Sequence, residues 1–195
     1  FKEPLTVVLS GNAIWFFGIP ILILILWRIV PWFGHRSYKS GATVSVMFTG
    51  AVGMASQLAI LLAFQANHGT LYTAIAMLTA VFMFGLAIGA LIGKQYLSQG
   101  RLRDTLNADL TLILFVAVLG LVLKHASQWS LLCYVCSAAA GIITGSAFPA
   151  FLGMAAKSKN RDEREVAASI ESADHLGAAF GAFVTGIVFL PVYGL

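Results

Sequence analysis

Leu71 to Leu97 reads LYTAIAMLTAVFMFGLAIGALIGKQYL, and this stretch decides the fold. Its only charge is Lys94, near the end. Coiled as a helix at ~1.5 Å per residue, such a run reaches about 40 Å, more than the ~30 Å of hydrocarbon in a bilayer. It reads as a membrane-spanning helix. Working outward, five further apolar segments follow the same pattern: Leu5 to Phe33, Gly41 to Asn67, Thr105 to Lys124, Trp129 to Ala156 and Ala173 to Leu195. The expected architecture is an all-α, polytopic transmembrane bundle of six membrane-spanning helices, forming a single domain over residues 1–195. A membrane β-barrel would instead show ~10-residue strands of alternating polarity. Runs such as Ile19-Pro20-Ile21-Leu22-Ile23-Leu24-Ile25-Leu26 do not alternate.

Composition agrees with this reading. Of 195 residues, 59% are hydrophobic and 10% charged, and the mean hydropathy is +0.88. A soluble domain carries about a quarter charged residues, so too few polar groups are present to cover a water-facing surface. The formal net charge is +4, but the basic residues lie between apolar runs and form no basic face interleaved with aromatics. Nucleic acid is therefore not an expected partner, and the lipid bilayer is. The chain opens on Phe1 rather than Met, with no signal-peptide pattern behind it. This raises the expectation of a fragment or a processed chain.

The charges also set an expected orientation. Arg28, Arg36 and Lys39 follow the first segment, Lys94, Arg101 and Arg103 the third, and Lys157, Lys159, Arg161 and Arg164 the fifth. The connections around His68 and His125 hold only Lys124. Positive loops stay inside, so the basic loops are expected in the cytoplasm, with both termini of this chain outside a bacterial-type inner membrane. Trp15, Trp27, Trp32 and Trp129 fall toward segment ends, where indoles anchor at headgroups.

Small residues mark the packing faces. Gly85, Gly89 and Gly93 recur every four residues, as do Gly141 with Gly145 and Gly177 with Gly181. In lipid, rows of this kind let backbones approach and gain dispersion contacts. Pro20 and Pro149 fall inside segments and are expected to kink them.

Polar groups at membrane depth are the candidates for function, because each costs free energy unless it is paired or solvated. Gln57 stands near the middle of the second segment. It has two readings: an interhelical hydrogen bond to Thr79 or Ser137, or a substrate contact. Asp109 and Asp174 are each expected to open a segment, where a carboxylate meets the positive end of the helix dipole. Glu171, Asp174 and His175 form a compact titratable group beside the basic loop Lys157 to Arg164. With Arg101 and Arg103 across the cytoplasmic side, Glu171 and His175 are candidates for a gating ion pair.

Four histidines raise the question of haem, which in a membrane cytochrome needs facing imidazoles; none lies deep in an apolar segment, and no Cys-x-x-Cys-His follows. Solvated interfacial histidines are the plainer reading. Cys133 and Cys136 are too few for a disulfide framework and lack the strand-to-helix setting of a redox motif. They read as small apolar packers. No phosphate loop, zinc spacing or Ser/His/Asp order is present, so neither a metal nor catalysis is expected.

Three stretches together resemble the membrane domain of spermidine synthase-like multipass proteins. They are Gly50-Ala51-Val52-Gly53-Met54-Ala55-Ser56-Gln57 continuing to Phe82-Met83-Phe84-Gly85-Leu86-Ala87-Ile88-Gly89-Ala90, then Gly141-Ile142-Ile143-Thr144-Gly145-Ser146-Ala147-Phe148-Pro149, then Ser172-Ala173-Asp174-His175-Leu176-Gly177-Ala178-Ala179-Phe180-Gly181-Ala182. The likeness runs in order from Gly41 to Leu195. It implies a transporter-like helical domain of the kind often joined to an aminopropyltransferase-type domain. The glycine-rich loop of that enzyme domain is absent here. Asp174 matches the family's acidic position before the final glycine row, while Gln57 stands where members often carry glutamate. The same helices are also loosely similar to half of a major-facilitator fold, with Gly100-Arg101-Leu102-Arg103 in its loop between the second and third helices.

The expected function is a non-catalytic transporter-like module for a small cationic or amphipathic solute, with Gln57 and Asp174 as its contacts. The alternative is a structural or quinone-contacting subunit of a respiratory or electron-transfer complex. That reading uses the glycine rows as docking faces toward other membrane subunits and reopens haem contact. Otherwise no cofactor is expected, and the remaining partner is the rest of the protein's own chain.

Overall fold

A computed structural model describes residues 38–69, 72–96, 102–126, 129–156 and 163–189. All of these elements are helical: α1 (Tyr38–His68), α2 (Tyr72–Tyr96), α3 (Leu102–Ala126), α4 (Ser130–Ala156) and α5 (Glu163–Phe183), which runs on into a π-helical turn, Val184–Phe189. The described residues contain no strand. Four helices, α1 to α4, are long and apolar enough to cross a membrane. That is the signature of a membrane-embedded protein. The apolar stretch 5–33, with Pro20, lies outside the described residues, as do His35, Arg101 and the basic residues Lys157 to Arg161.

The expected six spans therefore become four among the described helices, and α5 explains part of the difference. It starts at Glu163, ten residues before the expected opening at Ala173. Glu163, Arg164, Glu165 and Glu171 give the start of this segment the charge of a loop. Within that charge, Val166, Ile170, Ala173 and Gly177 recur at helical spacing, and all four are buried. The charged turns belong to an amphipathic helix, and they keep its mean hydropathy below that of α1 to α4. The capping roles expected of Asp109 and Asp174 fall with these boundaries. Asp104, not Asp109, lies in the first turn of α3, and Asp174 lies in the interior of α5.

α1 ends where Gly69 adopts φ +80°, its N–H donating to the Gln65 carbonyl at 2.9 Å. A left-handed residue in this place closes the last helical turn, and glycine takes that conformation without a Cβ penalty.

Two helix pairs dominate the packing, α2 with α4 and α1 with α5, while α1 and α3 also rest on α4. The glycine rows hold both pairs. A Cβ on Gly85 would come within 2.6 Å of the Ala138 carbonyl, and one on Gly89 or Gly93 would run into the carbonyls of Ile142 and Ser146. In return, Gly141 and Gly145 sit against the carbonyls of Phe82 and Leu86. The positions rise together along both chains, so α2 and α4 run parallel and in register. α5 repeats the pattern on α1, with Gly177 on the Met47 carbonyl and Gly181 on that of Ala51. Here too the helices are parallel.

Apolar side chains fill the two ends of the bundle. Phe151, Val46 and Ile170 centre the cluster at the end where α1 begins, and Ile60, Leu78 and Leu119 the one at the opposite end. Large side chains such as Phe84, Leu91, Leu114 and Phe180 point outward, an arrangement suited to a hydrocarbon surround. Pro149 lies inside α4, which continues through it to Ala156.

Candidate functional site

Two polar features occupy the interior, and they are separate. The first ties three helices together. Gln57 of α1 is 2% exposed. Ser137 Oγ of α4 lies 2.8 Å from Gln57 Oε1 and 2.9 Å from the Leu78 carbonyl of α2, and can donate its single proton to either. Gln57 Nε2 donates to the same Leu78 carbonyl at 3.5 Å. Of the two partners named for Gln57 from the sequence, Ser137 is the one it meets. Thr79 instead turns back to donate to the Ile75 carbonyl at 3.0 Å.

The second is a cavity of about 180 Å³ between the two helix pairs. α1 contributes Val46 and Thr49, α2 Leu86 and Ala90, α4 Thr144, Gly145, Phe148 and Phe151, and α5 Asp174. Among the described residues Asp174 supplies the only ionisable side chain on this wall, and Gln57 is not part of it. The carboxylate is set there by a close helix crossing: the Asp174 backbone carbonyl and Oδ1 both lie over Gly50, where a Cβ would meet Oδ1 at 2.6 Å. Gly50 lies eight residues into the Ala42–His68 span, about 12 Å along the helix axis. Asp174 therefore packs against α1 inside its apolar span, about two turns from where that span begins.

Three oxygens near this carboxylate bear on what the cavity can hold. Thr49 Oγ1 donates its proton to the Ser45 carbonyl at 3.0 Å and keeps lone pairs that can accept. Thr144 packs over Gly53, and its buried Oγ1 has no hydrogen-bond partner. Gly145 lies four residues before Pro149 in α4. Proline has no N–H, so it cannot return the hydrogen bond that the Gly145 carbonyl would accept in an unbroken helix. A carboxylate, an unpartnered hydroxyl and an under-used carbonyl thus meet at one apolar-walled space. The chemistry is that of one carboxylate with hydroxyl and carbonyl oxygens that can accept, the Thr144 hydroxyl being able to donate as well.

The remaining candidates stand elsewhere. Glu171 and His175 pair at 4.0 Å on the outer face of α5, their side chains 65% and 74% exposed. Arg103 is exposed at the start of α3 and is not part of that pair. His68 stacks on Phe64 with ring centroids 4.6 Å apart. Among the described residues no group of three His, Cys, Asp or Glu side chains could hold a metal ion. Cys133 and Cys136 are buried and not joined in a disulfide. Thr144 had one signal in the sequence, as the polar member of the Gly141 to Gly145 row. Its importance comes from tertiary structure, because packing over Gly53 of α1 places it on the same cavity wall as Asp174.

Compared with protein-family models, curated proteins and solved structures, the chain shows no match.

Proposed function

We propose that this chain is a non-catalytic, transporter-like membrane module that takes a small cationic solute into the cavity between its helix pairs, with Asp174 as the counter-charge. The observation that carries this reading is the placement of Asp174: among the described residues, the single ionisable group on the wall of a largely apolar cavity of about 180 Å³, packed against Gly50 of the apolar helix α1. An intramembrane carboxylate is costly to keep, and pairing with a cation offsets that cost. The volume suits a small guest, since an apolar cavity of about 150 Å³ takes up benzene. The motif resemblance to the membrane domain of spermidine synthase-like proteins, and to half of a major-facilitator fold, supports the same reading. Gln57 acts here as a helix tie, leaving the solute contact to Asp174.

On this reading α5 enters the bilayer alongside α1, against which it packs from Met47 to Ala51. The membrane is then a bacterial-type inner membrane, with the basic loops in the cytoplasm.

Uptake of radiolabelled methylguanidinium, which stays charged at neutral pH, into proteoliposomes under an inside-negative potential tests the proposal. Wild-type protein is expected to drive uptake above empty liposomes, and Asp174→Asn to lower it at least tenfold with an unchanged sizing profile. Equal uptake by Asp174→Asn and wild type, or none by wild type, overturns it.

A further inference from the structure

We infer that the cavity is built for a monovalent primary alkylammonium, and that it discriminates against diamines and quaternary ammonium ions. The inference rests on the cation reading above and narrows it. A primary ammonium carries three N–H donors and one charge. The wall offers the Asp174 carboxylate as the counter-charge, and as further acceptors the unpartnered Thr144 hydroxyl, the lone pairs of the Thr49 hydroxyl and the Gly145 carbonyl, to which Pro149 has no N–H to donate. The match is one charge to one carboxylate, with neutral oxygen acceptors on the same wall for the N–H donors that the carboxylate leaves over.

The rest of the wall sets the tail. Val46, Leu86, Ala90 and Phe148 offer apolar surface only, which suits a short alkyl chain and penalises a second ammonium, since a buried charge without a partner is expensive. A diamine would place its second charge against these side chains. A quaternary ammonium has the right charge but no N–H, and would leave Thr144 and Gly145 as they are. Both unsatisfied groups would then remain buried.

Equilibrium binding to the full chain in detergent, by competition against labelled n-butylammonium, tests this. n-Butylammonium is expected to bind at least tenfold more tightly than 1,4-diaminobutane or tetramethylammonium. Asp174→Asn should abolish binding of all three, with Asp174→Glu recovering part of it. Thr144→Val should weaken n-butylammonium several-fold while leaving tetramethylammonium unchanged, and it removes an unpartnered hydroxyl, so the fold should survive. If 1,4-diaminobutane or tetramethylammonium binds as well as n-butylammonium, and all depend on Asp174, the inference fails while the cation cavity stands. Displacement of n-butylammonium by Na⁺ at matched concentration also overturns the inference, assigning the oxygens to a metal cation. If none of the three ammonium ions binds, the inference and the cation reading fail together.

Discussion

At the scale of single residues, the Ser137 hydroxyl is the donor of the three-helix tie, and its one proton has two acceptors within 2.9 Å. Deleting the donor and deleting one acceptor should therefore differ. Ser137→Ala leaves the buried Gln57 Oε1 with no donor, an unsatisfied group that costs about 1–3 kcal/mol. Gln57→Leu keeps the Ser137–Leu78 hydrogen bond and replaces the amide with an apolar side chain of similar size. Its cost should stay near the ~0.6 kcal/mol typical of an interhelical hydrogen bond in a membrane protein. Unfolding in detergent should rank Ser137→Ala as the less stable variant, with the double variant recovering part of the loss. The reverse order would assign the tie to the amide rather than the hydroxyl. Gln57→Leu should also retain methylguanidinium uptake, since the residue does not line the cavity. Gln57 and Ser137 were legible in the sequence because polar residues inside apolar runs stand out. Thr144 was not, because a threonine beside two glycines reads as one more small residue until its neighbours are known.

At the scale of helices, the glycine rows were readable from spacing alone, but their pairing was not. A four-residue repeat says that a face is close-packed; it does not say that α2 faces α4 in parallel, two helices along the chain. The structure turns that into a graded expectation. Gly89→Leu forces a side chain into the Ile142 carbonyl, and because backbone rather than a flexible side chain stands in the way, the two helices must separate. Overpacking of this kind costs about 1–3 kcal/mol or more. Gly186→Ala, in the π-helical turn where a Cβ meets nothing within 4 Å, should stay within about 0.5 kcal/mol of wild type. Thermal unfolding of the two variants in one detergent measures the contrast; equal stability would mean that the α2–α4 crossing is looser than described. The start of α5 escaped sequence reading for a different reason. Its first turns mix charge with a buried stripe at Val166 and Ile170, and hydropathy averages the two faces where the folded helix separates them.

For the whole molecule, helix direction and charge placement converge on one arrangement. α2 and α4 run parallel, α1 and α5 run parallel, and the Gln57–Ser137 tie with the Gly53–Thr144 contact shows that α1 and α4 run opposite ways. The ends of α2 and α4 therefore lie on the side where α1 and α5 begin, and that side carries Lys94, Arg103 and Arg164. The opposite end, with Asn67 and Trp129, is nearly free of basic residues. Basic residues resist translocation, so the first end should face the cytoplasm. Single cysteines report the orientation: Asn67→Cys and Tyr96→Cys are both at exposed positions, while the native Cys133 and Cys136 are 1% and 9% exposed and give little background. In intact cells a membrane-impermeant maleimide should label Asn67→Cys and reach Tyr96→Cys only after permeabilisation. The opposite pattern would invert the topology, and labelling of both from outside would mean that α2 does not cross. With that orientation Asp174 should lie nearer the cytoplasmic end of the bundle, because it packs against Gly50 in the first half of α1.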